Sequence, residues 1–269
     1  MQQIENIPVL EQIREVAQYL WEKGWAERNA GNISINLTAE IKAMGIDSRQ
    51  FPFVEDDRML SDLAGNSFFF TGSGLRLRDL ARGEDGLERN GCVLTVSADG
   101  KGYHIIWGGK DREDIKPTSE IRSHLNIHLD LLRRNSDHRV VLHTHAIELL
   151  ALTHSKEHCK DSAQISKLLW SMLPEVRAFV PRGIALLPYR LPSSDALAKL
   201  TVEALREHDV ALWSKHGVIA TGADMLQTFD FIDVANKGAI IVLMCLSAGY
   251  APVGMTDEEM QELVVAFNL

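Results

Sequence analysis

The chain has 269 residues, 45% hydrophobic and 24% charged, values of an ordinary globular protein long enough to bury one large core. A net charge of -9 excludes general nucleic-acid binding, which needs a basic surface, but not a small anion held by backbone N–H groups or a metal. No run rich in Pro, Gly or Ser and no repeat divides the chain, so residues 1–269 are expected to form one domain.

The opening Met-Gln-Gln-Ile-Glu-Asn-Ile-Pro lacks the basic and apolar regions of a signal peptide. Val9, Ile13, Val16 and Leu20 then recur at helical spacing, with Gly24 as the stop. Asn29-Ala30-Gly31-Asn32 reads as a turn into a strand over 33–37, and 38–65 as irregular and polar. Phe68-Phe69-Phe70 is a short buried strand ending in Thr71-Gly72-Ser73-Gly74. Strands over 92–97 and 103–107 form a hairpin through Asp99-Gly100-Lys101-Gly102. Pro117-Thr118-Ser119 opens a helix with Ile121, Leu125, Leu129 and Leu132 on its apolar side. A strand over 140–142 and a helix over 146–153 follow, then a helix through Ile165, Leu168 and Leu169 that ends before Pro174. Ser193 or Ser194 caps a helix running to about His208. Strands over 210–213 and 218–220 flank His216, and two more helices close the chain, the last with a Thr256-x-x-Glu259 capping box. Hairpins mixed with helices predict an α/β domain with a mixed sheet. The longest apolar stretch, Ala239 to Ala248, is about half of a bilayer span, so no membrane association is expected. Cys92, Cys159 and Cys245 lack metal-type spacing and read as reduced thiols of a cytoplasmic protein.

Among ten histidines, three carry the chemistry. His143 and His145 follow the apolar run Val140-Val141-Leu142, and residues i and i+2 of a strand share a face. With His216 brought in from elsewhere, three neutral imidazoles would bind a divalent metal and leave a position open for substrate. A bare His-x-His is more often packed than ligating. Two details tip the balance: the pair stands at a strand end, where α/β folds place their sites, and Gly217 directly follows His216. A cupin-type site would place a carboxylate a few residues later within strands, whereas Glu148 falls in a helical pattern. His104, His124, His128, His138, His154, His158 and His208 read as solvated or packed.

Three loops have the composition of a binding site. Thr71-Gly72-Ser73-Gly74 offers backbone N–H groups and a hydroxyl to a phosphate, without the Lys-Ser/Thr ending of a Walker loop. Asn29-Ala30-Gly31-Asn32 adds amide donors. Pro117-Thr118-Ser119-Glu120 places Ser119 at a helix N-terminus, where an anion is favoured. Glu120 there is ordinarily a macrodipole partner, but near a metal it could shuttle a proton.

Six segments together resemble the class II aldolase/adducin family: Glu27-Arg28-Asn29-Ala30-Gly31-Asn32, Phe70-Thr71-Gly72-Ser73-Gly74, Asp99-Gly100-x-Gly102-Tyr103-His104-Ile105-x-Trp107-Gly108, Pro117-Thr118-Ser119-Glu120, His143-x-His145-Ala146 and Leu212-Trp213-x-x-His216-Gly217-Val218. They occur in family order along nearly the whole chain. The resemblance implies a three-layer α/β/α single domain with a mixed, largely antiparallel central sheet, assembled as a homotetramer. It implies one Zn2+ per subunit on His143, His145 and His216, with Glu120 as the proton shuttle. Asn29, Gly31, Asn32, Ser73, Gly74 and Ser119 match the positions around the phosphate of a phosphorylated ketose. Glu175 matches a second carboxylate, lent by a neighbouring subunit. Ala30 departs from the pattern, standing where glycine is usual. The expected activity is reversible aldol cleavage of the ketose phosphate. Rivals are a class II aldolase of another sugar phosphate, a pentulose-phosphate epimerase using the same step, a metal-free aldolase with Lys215 as Schiff base, and an adducin-like interaction module without catalysis.

Overall fold

The computed structural model describes residues 4–269. Helix α1 (Pro8–Glu22) starts on a proline, whose fixed φ suits a first helical position, and buries Leu10, Ile13, Val16 and Leu20 on one side. Strand β1 (Asn32–Asn36) and the short helix α2 (Thr38–Ala43) lead to the edge strand β2 (Phe53–Glu55) and then to β3 (Ser67–Thr71). Short helices α3 (Leu77–Leu80) and α4 (Gly86–Asn90) precede the hairpin of β4 (Gly91–Val96) and β5 (Gly102–Gly108). Helix α5 (Ile121–Arg133), strand β6 (Val140–Thr144) and helices α6 (Ile147–Leu152), α7 (Ser162–Met172) and α8 (Pro174–Phe179) follow. Strand β7 (Ile184–Leu187), helix α9 (Asp195–Glu207), the hairpin of β8 (Val210–Trp213) and β9 (Gly217–Gly222), and helices α10 (Met225–Ser247) and α11 (Asp257–Phe267) complete the chain.

Among the described residues, nine strands join one sheet in the order β2-β5-β4-β3-β1-β6-β9-β8-β7. Every pairing is antiparallel except β7–β8, so the sheet is mixed and largely antiparallel, as expected. The period-2 alternation of strands sorts side chains between two faces. Ile33, Ile35, Phe69, Val140 and Leu142 join a core built with α1, α6, α7, α8 and α10. Phe68, Phe70, Val141, Trp213 and Ile219 face α5 and α9 instead. Helices on both faces of one sheet make three layers. Each fully buried Phe contributes roughly 1.5–3 kcal/mol, so the three consecutive phenylalanines fasten β3 to both outer layers.

The structure differs from the sequence expectation in four places. Residues 38–65 are not irregular throughout, since they hold α2 and β2. The helix after Pro117 starts only at Ile121, which makes Glu120 its N-cap residue rather than a first-turn residue. Pro174 ends one helix and opens α8, occupying a first position where its missing N–H costs nothing. The run Ile184-Ala185-Leu186-Leu187 is a parallel strand, too short for its apolar pattern to separate it from a helix segment. The capping box at Thr256 and Glu259 is present.

Candidate metal centre

Strand β6 lies between β1 and β9, with His143 opposite Asn32 on one side and Ile219 on the other. Thr144 Oγ1 and the His145 N–H both donate to the Trp25 carbonyl, at 2.7 and 3.1 Å, which holds the chain straight for one residue beyond the strand. His145 therefore stays beside His143, their ring centroids 5.3 Å apart. His216 arrives from the turn between β8 and β9, where Lys215 takes φ 62°. A Cβ on Gly217 would meet His143 Cε1 and the Thr144 carbonyl at 2.7 Å, and His145 Cδ2 at 2.9 Å, so only glycine lets this turn close on the imidazoles.

One ring nitrogen from each of His143, His145 and His216 lies within 4.8 Å of the others. His143 Nδ1 stands 3.0 Å from the Val218 carbonyl and His145 Nδ1 stands 2.7 Å from Glu27 Oε1. A neutral imidazole that donates from Nδ1 carries its lone pair on Nε2, which is the usual support of a metal-ligating histidine. His216 Nδ1 is buried without a hydrogen-bond partner among the described residues. Burial pushes His143 down to about 3, the neighbouring His145 adding to it. Burial also pushes His216 down to about 4, with His143 adding and Glu120 opposing. Both rings are thus neutral at ordinary pH. Three clustered imidazole donors suit a divalent metal and leave a coordination position open.

Trp213 supports the cluster from below. Its ring packs 4.5 Å from His143 and 4.9 Å from His216, and its Nε1–H donates to Thr201 Oγ1 at 2.9 Å. Glu120 is 6% exposed, with Oε2 3.7 Å from His143 Nε2 and Oε1 3.9 Å from His216 Nε2. Neither distance is a hydrogen bond, so the carboxylate borders the centre. Among the described residues its one close partner is Asn32, whose Nδ2 donates to Oε2 at 2.9 Å.

The loops expected around a phosphate are stitched together. Gly72 bridges Pro117, Ser73 N donates to the Lys116 carbonyl at 2.8 Å, and Thr118 N to the Thr71 carbonyl at 2.9 Å. The N–H groups of Gly72, Ser73 and Leu75 are therefore used internally, a narrower supply than the loop composition suggested. The exposed Ser73 hydroxyl and the N–H groups of Gly74 and Ser119 have no internal partner among the described residues. Asn29 is exposed, and Gly31, at φ 78°, packs so closely on β6 that a Cβ would meet the His143 carbonyl at 2.9 Å.

All three histidines and Glu120 thus come together, whereas Asn32 turns its side chain to Glu120. Glu175 is exposed in the first turn of α8 and takes no part in the cluster. Lys215 is exposed, not desolvated as a Schiff-base lysine needs to be. His124 and His128, read as ordinary, sit fully buried in the same layer as Glu120. The signal for them was present: polar Asn32 and Ser34 alternate with Ile33 and Ile35, and the two histidines are four apart on one helix.

Among the described residues, no helix is long and apolar enough to cross a membrane. The family described as Class II Aldolase and Adducin N-terminal domain matches residues 11–243. A rhamnulose-1-phosphate aldolase of Bacteroides thetaiotaomicron is 43% identical over 284 aligned positions, covering 99% of this chain and 98% of that protein. Another, of Listeria welshimeri, is 32% identical over 100% of this chain and 95% of its own length. The crystal structure of a sugar-phosphate aldolase from Thermotoga maritima superposes with a TM-score of 0.73 at 32% identity, covering 91% of this chain and 97% of that one. With a metal-binding geometry and full-length relatives in agreement, this chain belongs to the class II aldolase and adducin N-terminal domain family.

Proposed function

We propose that the protein is a metal-dependent aldolase that reversibly cleaves L-rhamnulose 1-phosphate into dihydroxyacetone phosphate and L-lactaldehyde. The observation that carries this reading is a cluster of three imidazoles beside a buried carboxylate, on a chain 43% identical to a rhamnulose-1-phosphate aldolase over 99% of its length. Zinc, one per subunit, is the metal we assign to this nitrogen donor set. Residues 1–269 act as one domain, in a cytoplasmic homotetramer.

Cleavage removes the C4 hydroxyl proton, breaks the C3–C4 bond and turns C4 into an aldehyde carbon. The bonding pair passes into an enediolate over C2 and C3, and a proton delivered to C3 completes dihydroxyacetone phosphate. His143, His145 and His216 would hold a divalent ion, which would supply Lewis-acid stabilisation of charge on the ketose oxygens, typically by several kcal/mol. Glu120 delivers the C3 proton, or removes it in the synthetic direction. Asn29, Gly31, Ser73, Gly74 and Ser119 border the phosphate end, and binding there orients the reacting carbons, whereas the Asn32 side chain, also expected there, is turned to Glu120. Glu175, exposed in the first turn of α8, is assigned to a neighbouring subunit's centre on the family resemblance.

The test is an assay of the purified protein against stereoisomeric ketose 1-phosphates, before and after chelation and with zinc restored. We expect cleavage of L-rhamnulose 1-phosphate to dominate, to vanish on chelation and to return with zinc. Preference for another stereoisomer would overturn the substrate, and full activity in chelator would overturn the metal. Glu120→Gln should retain the metal and turn over roughly a hundredfold or more slowly. Turnover at the parent rate would remove Glu120 from the proton-transfer role.

A further inference from the structure

A continuous buried chain of polar groups runs away from Glu120 into the layer beneath the sheet. Asn32 Nδ2 donates to Glu120 Oε2 at 2.9 Å, and Asn32 Oδ1 meets His124 Nε2. On the other side of the ring, His124 Nδ1 lies 2.7 Å from Ser34 Oγ, which lies 2.8 Å from His128 Nε2. Ser34 and His124 are 0% exposed, His128 1% and Asn32 7%. Phe68 and Phe70 close over the two imidazoles from β3, at centroid distances of 4.9 and 6.2 Å.

Every proton in this chain follows from its first member. The Asn32 amide turns its NH2 toward Glu120 and its oxygen, which only accepts, toward His124. His124 must then donate from Nε2. Burial holds its pKa well below the usual imidazole value, so the ring is neutral and its Nδ1 is an acceptor. The Ser34 hydroxyl must give its proton to that Nδ1, and so Ser34 Oγ accepts from His128 Nε2–H. Four bonds point the same way, toward Glu120. A buried network with every link satisfied fixes one geometry, whereas a network with one link removed leaves polar groups stranded.

We infer that Asn32, His124, Ser34 and His128 are positioning residues that pin Glu120 Oε2 and keep Oε1 turned toward the substrate carbon. The inference rests on Glu120 being the proton carrier. The His124 N–H holds the oxygen end of the Asn32 amide. Without it the amide is tied to the carboxylate alone, and Asn32 and Glu120 can shift together off their aim. Misplacement of a reacting group on this scale lowers turnover without weakening ground-state binding.

The experiment has two arms. Nitrogen-15 NMR of the wild-type imidazoles should show His124 and His128 both protonated on Nε2; an Nδ1–H form of either ring would overturn the direction of the chain. His124→Phe, which keeps the ring volume, should lower kcat about ten- to a hundredfold while KM and bound metal stay unchanged. Ser34→Ala, a smaller change, should act in the same direction by several-fold and covers the case in which the phenylalanine variant does not fold. Parent kcat in Ser34→Ala, or a loss seen only in KM or metal content, would overturn the inference. If Glu120→Gln is slow while His124→Phe is fast, the chain alone fails. If Glu120→Gln is itself fast, the proton-carrier reading fails and the inference falls with it.

Discussion

His143 and His124 are the same residue type, 2% and 0% exposed, and burial lowers the pKa of both. Their surroundings separate them. His124 has a protein partner on each ring nitrogen, so it is finished as a structural group. His143 has one, at Nδ1, and turns the other toward two more imidazoles and a carboxylate. Burial therefore says little about whether a histidine is a ligand. The direction of its unpaired nitrogen says a great deal.

The comparison breaks most sharply at His216. His216→Ala should lose the metal and at least about a thousandfold in activity, the worth of roughly 4 kcal/mol of charge stabilisation, while the chain stays folded. Elemental analysis and a thermal melt check this; a variant that unfolds would make His216 a structural residue like His124. Acid should strike the packed pair next. An unfolded histidine titrates near 6.5, and His128 in the fold near 3. Between those values the unfolded chain binds more protons, so stability is present above pH 6.5 and is lost as pH falls. At pH 5 this amounts to about 2 kcal/mol for one such histidine. The metal-free His128→Phe protein should accordingly lose less stability than its parent between pH 7 and 5, read from urea midpoints. Equal losses would show that His128 is not held neutral.

Smaller changes sharpen the contrast around the ligands. Gly217→Ala forces a Cβ into contact with His143, His145 and the Thr144 carbonyl. Its metal affinity should drop about ten- to a hundredfold, the scale of disturbed ligand support. An unchanged affinity in competition with a chelator would mean that the turn can relax. Glu27→Gln keeps an oxygen near His145 Nδ1 but removes its charge, on a side chain that is 63% exposed. The expected loss in metal affinity is below about tenfold, and a larger one would mark Glu27 as essential to the centre.

Much of this site could be read from local pattern. The alternation around Ile33 and Ile35, the helical spacing after Glu120 and the histidines at the end of an apolar run each follow from periods of 2 and 3.6 residues. The six segments in family order pointed to three histidines and to Glu120, which the fold brings together, and the sheet is mixed and largely antiparallel as that resemblance implied. Local pattern did not reveal α2, β2 or β7, which are too short to declare a period. Nor did it separate His124 and His128 from solvated histidines.

Those distinctions depend on strand register and on which element covers which face. Asn32 reaches Glu120 across 88 residues, His143 reaches Val218 across 75 and His145 reaches Glu27 across 118. Such pairings arise only after β1, β6 and β9 have locked side by side. The residue types and their local spacing supplied the donors. Tertiary packing decided which nitrogens were satisfied and which were left facing one another, because a hydrogen bond depends on a partner's position within tenths of an ångström, and local periodicity carries no such information.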